Sequence, residues 1–343
     1  MDSKQKSRFF LNDSAVIGFS MLVYMFSLNG VTLIFYIIAS VLSGNGFSIL
    51  PPPEGSVYFQ TAEIAGYIIS FLLTIFLMSR CFPNFANFSP PKPPYAALTL
   101  PVFLASFFIL GYVGLFFEGF FERIGIRGID VSIVAPKSGL GLILYIVEYT
   151  FLPAVLEEIL FRGIILGRLR RFGNGFAVVF SSAVFALMHH NIVSMPNIFL
   201  LGALFGFITI ASGSLVPAMV MHFANNAIAI FATYIEQHGA PISMETLSLI
   251  LLFLELISLA AVAILAVILV IQRNQRRADP VSGYARSKVA IKYPARNRLA
   301  FGSVLSSGWM ITFVILAVYT TLTLEFLPGI LEQFTELMEK LGI

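Results

Sequence analysis

Apolar runs of about twenty residues, the length a helix needs to cross a bilayer, follow one another along this chain from end to end. That succession leaves few folds open. In lipid every backbone polar group must find its partner within the protein, so spanning segments are helices or closed barrels. Runs this long and continuous predict helices. Composition points the same way: 58% of residues are hydrophobic and 11% charged, against about 25% charged in a soluble domain. The expected fold is all-α, a polytopic integral membrane protein of about eight to nine transmembrane helices. It forms a single transmembrane domain over residues 1–343.

The predicted spans cover about 14–43, 58–79, 95–117, 138–167, 174–190, 197–211, 215–235, 246–272 and 303–324. Gly44, Gly46 and the prolines at 51–53 break the chain after the first. That first run is too long for the h-region of a signal peptide and reads as a retained span. Residues 118–137 mix charges with glycine and read as an interfacial stretch. Lys4, Lys6 and Arg8 place the N-terminus in the cytoplasm by the positive-inside rule. Nine crossings then put the loops at 80–94, 168–173 and 273–298 on the same side. The last is a basic cytoplasmic connector carrying eight Arg and Lys residues from Arg273 to Arg298 against Asp279 alone. A tail with Glu325, Glu332, Glu336 and Glu339 falls on the other side. The expected location is the cell membrane. Cys81 is the only cysteine, which excludes an intrachain disulfide and thiolate metal sites. No basic tract interleaved with aromatics points to nucleic acid.

Within this apolar background, residues 153–171 stand out, because Glu157, Glu158 and Arg162 lie inside them. Ionisable groups at membrane depth cost ~2.5–3.5 kcal/mol each on insertion scales, so they pair or face a cavity. A helix advances ~100° per residue. Glu158 and Arg162 are therefore ~40° apart and can pair, whereas Glu157 and Arg162 differ by ~140°. This makes Glu158 the held acid and Glu157 the free one. A structural ion-pair cluster that only fixes helix packing is the alternative.

Histidines occur at 189, 190, 222 and 238. Phe185 with His189, and His222 with Asn226, share helix faces at a spacing of four. A glutamate, two histidines and an asparagine in one polar intramembrane cavity are the parts needed to activate a water and hold an oxyanion. His190 and Asn225 stand beside His189 and Asn226 as alternatives. Glu157, His189 and His222 could instead coordinate zinc, three ligands and a water. However, the chain has no His-Glu-x-x-His helix, and the ligands would come from three separate segments. The fifth run is short. A full crossing would separate His189 from Glu157, so the polar end of that run is expected to stop within the membrane, lining a cavity. Glu148 and Glu255 also lie in apolar runs, with no evident partner at helical spacing.

In order, Glu157-Glu158-x-x-x-Arg162, Phe185-x-x-x-His189 and His222-x-x-x-Asn226 resemble the three motifs of the CPBP family. These are the CAAX protease and bacteriocin-processing (Abi) proteins, which include the Ras-converting prenyl-protein endopeptidases. The resemblance covers roughly residues 140–235. Each motif alone is weak; the ordered triplet on apolar segments is specific. It implies an all-helical intramembrane glutamic endopeptidase, with no metal and no cofactor, acting on a membrane-associated peptide or protein. By motif position, Glu157 and His189 would activate the attacking water, and His222 and Asn226 would stabilise the oxyanion. Glu158 and Arg162 would shape the site. The family spacing selects His189 and Asn226 over their neighbours.

The expected function is thus hydrolysis of a peptide bond within the membrane. Its rivals are a non-catalytic membrane partner (scaffold, immunity or phage-defence protein) and a zinc-dependent intramembrane metalloprotease. A proton-coupled carrier ranks last, because neither an inverted repeat nor paired broken helices are visible.

Overall fold

Serines and prolines set where several helices begin. Ser56 accepts a hydrogen bond from the backbone N–H of Phe59 at 3.1 Å, and Ser138 from that of Gly141 at 3.0 Å, each satisfying a donor at a helix start. Pro196 and Pro217 occupy the first turns of two later helices, where a missing N–H leaves nothing unpaired. The computed structural model describes residues 3–44, 46–82, 87–91, 93–126, 134–239, 242–278 and 307–323, and these contain helices and no strand. In chain order they are α1 (Ser3–Leu42), α2 (Val57–Cys81), α3 (Pro93–Arg123) and α4 (Gly139–Phe172). Then follow α5 (Asn174–Leu187), α6 (Met195–Ser212), α7 (Val216–His238), α8 (Met244–Ala278) and α9 (Gly308–Thr323).

Among the described residues a helix occupies each apolar run expected to hold one, and the protein is an all-α polytopic membrane protein. Seven helices are long and apolar enough to cross a membrane; α5 and α9 are shorter. Leu115 and Phe116 on α3 and Phe253 on α8 are exposed, an outer surface suited to lipid. Several boundaries differ from expectation: α4 runs on to Phe172 through residues expected as a loop, and α5 ends at Leu187 rather than at 190. α3 continues to Arg123, so Glu118 and Glu122 are helical rather than part of an interfacial segment. The basic connector begins inside α8, which extends to Ala278. Its residues 279–298, Arg127 and Asp130 of the 118–137 stretch, and the acidic tail lie outside the described residues.

The core joins Ile17 and Met21 of α1, Met78 of α2, Ile164 of α4, Val184 of α5 and Phe313 of α9. Gly18 makes one crossing possible. A Cβ there would lie 2.5 Å from the backbone nitrogen of Met310, so α1 and α9 meet backbone to backbone. Buried Asp13 ties α1 to the end of α4, pairing with Arg168 at 3.2 Å and with Arg171.

α4 is the axis of the site. It runs 34 residues and widens into π-helical turns at Val147–Phe151 and Glu158–Leu166. Pro153 follows the first of them. A proline supplies no N–H to the carbonyl four residues earlier and its ring crowds that carbonyl, which here belongs to Tyr149. The chain then reverses at Gly173, whose φ of +120° suits glycine. α5 is 14 residues long, or about 21 Å at ~1.5 Å per residue, short of the ~30 Å hydrocarbon core. Glu157 lies about the same distance back along α4 from Phe172, ~22 Å. The polar end of α5 therefore reaches the level of Glu157.

Candidate functional site

Glu158 and Arg162 form the fixed part of the site. Glu158 Oε1 accepts from Arg162 Nη1 at 2.9 Å and from His222 Nδ1 at 2.9 Å, and both side chains of the ion pair are 0% exposed. Arg162 is held from three further directions. Its Nη2 donates to the backbone carbonyl of Gly202 on α6 at 3.2 Å. Its guanidinium lies 4.2 Å from the Phe185 ring centroid and 5.3 Å from that of Phe205, within cation–π range. Gly202 permits this approach: a Cβ there would sit 3.1 Å from both Arg162 Nη2 and Phe185.

His222 is placed by this pair. The Glu158 carboxylate accepts at Nδ1, so His222 turns its Nε2 toward Glu157, 3.8 Å from Oε2. Phe205 stacks on the imidazole at 5.3 Å. The other carboxyl oxygen of Glu157, Oε1, accepts from the hydroxyl of Tyr67 on α2 at 2.8 Å. Glu157 Oε2 is buried and has no hydrogen-bond partner. Glu157 is therefore free at one oxygen only.

His189 follows the end of α5. Its Nδ1 contacts the carbonyl oxygen of Phe185 at 2.8 Å. A carbonyl can only accept, so Nδ1 carries the proton and the lone pair of a neutral ring is on Nε2. His189 is exposed. Glu157, His222 and Arg162 all lie within electrostatic reach of it. His190 adopts a left-handed φ of +49° and turns toward α9, with its Nδ1 3.5 Å from Thr321 Oγ1. Asn226 donates from Nδ2 to the Tyr149 carbonyl at 3.0 Å, the group that loses its helical donor at Pro153. Asn225 in turn donates to Asn226 Oδ1 at 3.2 Å.

The structure thus joins Glu158, Arg162 and His222 by hydrogen bonds, sets Glu157 3.8 Å from His222 and within electrostatic reach of His189, and ties Asn226 to the Tyr149 carbonyl of α4. Three polar contacts were not expected: the Tyr67 hydroxyl, the Gly202 carbonyl and the Tyr149 carbonyl. Only Tyr67 leaves a trace in the sequence, as the end of a stripe with Gln60 and Glu63 along one face of α2. Among the described residues no three His, Cys, Asp or Glu side chains are grouped to hold a metal ion.

Residues 139–228 match the family described as type II CAAX prenyl endopeptidase, Rce1-like. No curated protein and no solved structure gives a significant match to the chain.

Proposed function

We propose, from the match of residues 139–228 to the type II CAAX prenyl endopeptidase, Rce1-like family, that the chain hydrolyses a peptide bond at membrane depth by glutamate–histidine catalysis. The observation that carries this reading is the asymmetry of Glu157. One oxygen is held by Tyr67, while the other is buried, unpartnered and 3.8 Å from His222 Nε2. Glu158 Oε2 is unpartnered as well, but its side chain is 0% exposed while that of Glu157 is 14% exposed, so of the two only Glu157 borders solvent as a general base for water must.

In the proposed sequence Glu157 Oε2 takes a proton from a water that His189 Nε2 orients. The water oxygen attacks the substrate carbonyl carbon, and the carbonyl oxygen becomes an oxyanion. His222, held at Nδ1 by Glu158, donates to that oxygen from Nε2 when it carries a proton there. Asn226 uses one amide hydrogen on the Tyr149 carbonyl and has the second for the oxyanion. Glu157 then returns its proton to the leaving amine as the C–N bond breaks. Arg162 takes no part in proton transfer; it fixes Glu158, and through Glu158 the ring of His222.

The test is product mass from membrane peptides incubated with the full chain in detergent. A farnesylated peptide ending in a CAAX sequence is the first probe, and its unprenylated form the second. Glu157→Gln should lower turnover by about 10²–10⁴-fold, the usual contribution of a general base, while the protein stays folded. Equal cleavage by wild type and Glu157→Gln would end the proposal. Absence of turnover from every probe, together with loss of protein level in Glu157→Ala, would favour a packing role instead.

A further inference from the structure

A second polar cluster lies along the same two helices, and of its members only Tyr67 takes part in the site above. Gln60, Glu63 and Tyr67 stand at i, i+3 and i+7 on α2, and Tyr67 ends this stripe at Glu157. Glu63 accepts a hydrogen bond from Tyr36 of α1. It is within electrostatic reach of Glu148 on α4, whose charge also bears on Tyr145 and Tyr149. Two carboxylates therefore come within reach of each other, with no arginine or lysine among the described residues acting on Glu148, unlike Glu158.

Beside Glu63 is a cavity of about 420 Å³, walled by Asn29, Thr32, Tyr36, Ile49 and Pro51 among others. That volume falls in the range of sites for small organic groups, about 300–1,000 Å³. Thr32 lines it, is 7% exposed, and has a hydroxyl without a partner. Near Glu148, the Tyr145 hydroxyl is likewise unpartnered on a residue 1% exposed, and so is Glu148 Oε2. Asn29 donates its Nδ2 to the Met25 carbonyl at 2.8 Å, which leaves its amide oxygen available. Buried polar groups of this kind are normally paired. Carboxylate, amide and hydroxyl oxygens beside a phenol ring, with no lysine or arginine in the lining, recognise a positive group. The cavity is larger than a bare ion needs, and no three metal-ligating side chains are grouped among the described residues. An organic cation, ammonium or guanidinium, fits this chemistry.

We propose that the cavity beside Glu63, with Glu148 of α4, is a subsite for a lysine or arginine side chain of the peptide substrate. The assignment rests on the endopeptidase reading. Glu148 and Glu157 are nine residues apart on α4, or ~13 Å, which an extended peptide covers in about four residues at ~3.3 Å each. The basic residue would thus lie about four positions from the bond that is cut.

The test reads binding, so that it fails or succeeds independently of turnover. The full chain, with a benzophenone cross-linker in place of exposed Ile49, is held in non-ionic detergent. It is illuminated with leucine-rich single-span peptides carrying one Arg, Gln or Asp at the same position. The Arg peptide should cross-link about tenfold more than the Gln peptide, the ratio for about 1.4 kcal/mol of preference. Glu63→Gln with Glu148→Gln should erase that ratio, and Glu63→Lys should turn the preference toward the Asp peptide. Equal labelling by Arg and Gln peptides in the unaltered pocket overturns the proposal, as does an Arg preference that survives the double substitution. If the double variant labels with no peptide, Glu63→Lys decides: a preference for Asp supports the subsite, and its absence overturns it.

Discussion

Glu158 and Glu148 lie on the same helix, ten residues apart, and their surroundings are built by opposite rules. Four residues after Glu158 stands Arg162, and across the helix interface stands His222; the carboxylate accepts from both guanidinium and imidazole. Four residues either side of Glu148 stand Leu144 and Leu152; the charged group within its electrostatic reach is another acid, Glu63, and its hydrogen-bond donor is the neutral hydroxyl of Tyr149. A buried charge with an opposite partner acts as a strut for whatever it touches. A buried charge without one costs stability in the isolated protein, and so points to something outside the protein that is bound there. Glu157 is intermediate: like Glu158 it has one bonded and one unpartnered oxygen, but its bonded oxygen meets a neutral tyrosine hydroxyl rather than a cation.

The contrast breaks first, and with the largest effect, at Arg162. Arg162→Met keeps most of the volume between Phe185 and Phe205 but removes the cation, leaving Glu158, which holds His222, without its counter-charge. Losing one partner of a buried pair costs about 3–5 kcal/mol. The variant should therefore melt far below wild type in detergent. A melting point equal to wild type would mean that Glu158 is no strut.

Tyr67→Phe sharpens the comparison at the boundary between the two clusters. The ring packs 4.5 Å from Phe71 and should stay there, so stability should change little. Glu157 Oε1 loses its donor, and a hydrogen bond to a charged group contributes about 1.5–3 kcal/mol. With the carboxylate less firmly aimed, kcat should fall about tenfold or more while KM stays unchanged. A fall in melting point with no change in kcat would make Tyr67 a packing residue only.

How far these parts could be read in the sequence depends on contrast with their background. Glu157, Glu158 and Arg162 are conspicuous because they are charged within an apolar helix, and the i, i+4 spacing of Glu158 and Arg162 is enough to foresee their ion pair. The helices were equally legible, since each apolar run is bounded by glycine, proline or charge. Tyr67 was not, because a tyrosine in an apolar span reads as packing until its hydroxyl is seen at Glu157. The link from Pro153 through the Tyr149 carbonyl to Asn226 was hidden too, because it involves a backbone group. Sequence angles of ~100° per residue assume a uniform α-helix, and the π-helical turns of α4 depart from it at the residues that matter. The level of His189 was only bracketed in advance; the 14-residue length of α5 fixes it.

The smallest expected effect has the opposite sign and completes the comparison. Glu148→Gln keeps the side-chain shape and a hydrogen-bonding oxygen but removes one of two like charges. Glu63 is only half-buried, so water and salt screen part of the repulsion. The gain in stability should be under about 1 kcal/mol, read as a small upward shift in melting point that narrows as salt is raised. The same replacement at Glu158 should instead destabilise, because there it removes the partner of Arg162 and His222. Two identical substitutions on one helix would then move the protein in opposite directions. If Glu148→Gln lowers the melting point as Glu158→Gln does, Glu148 has a cationic partner of its own, and the distinction between strut and site fails at that position.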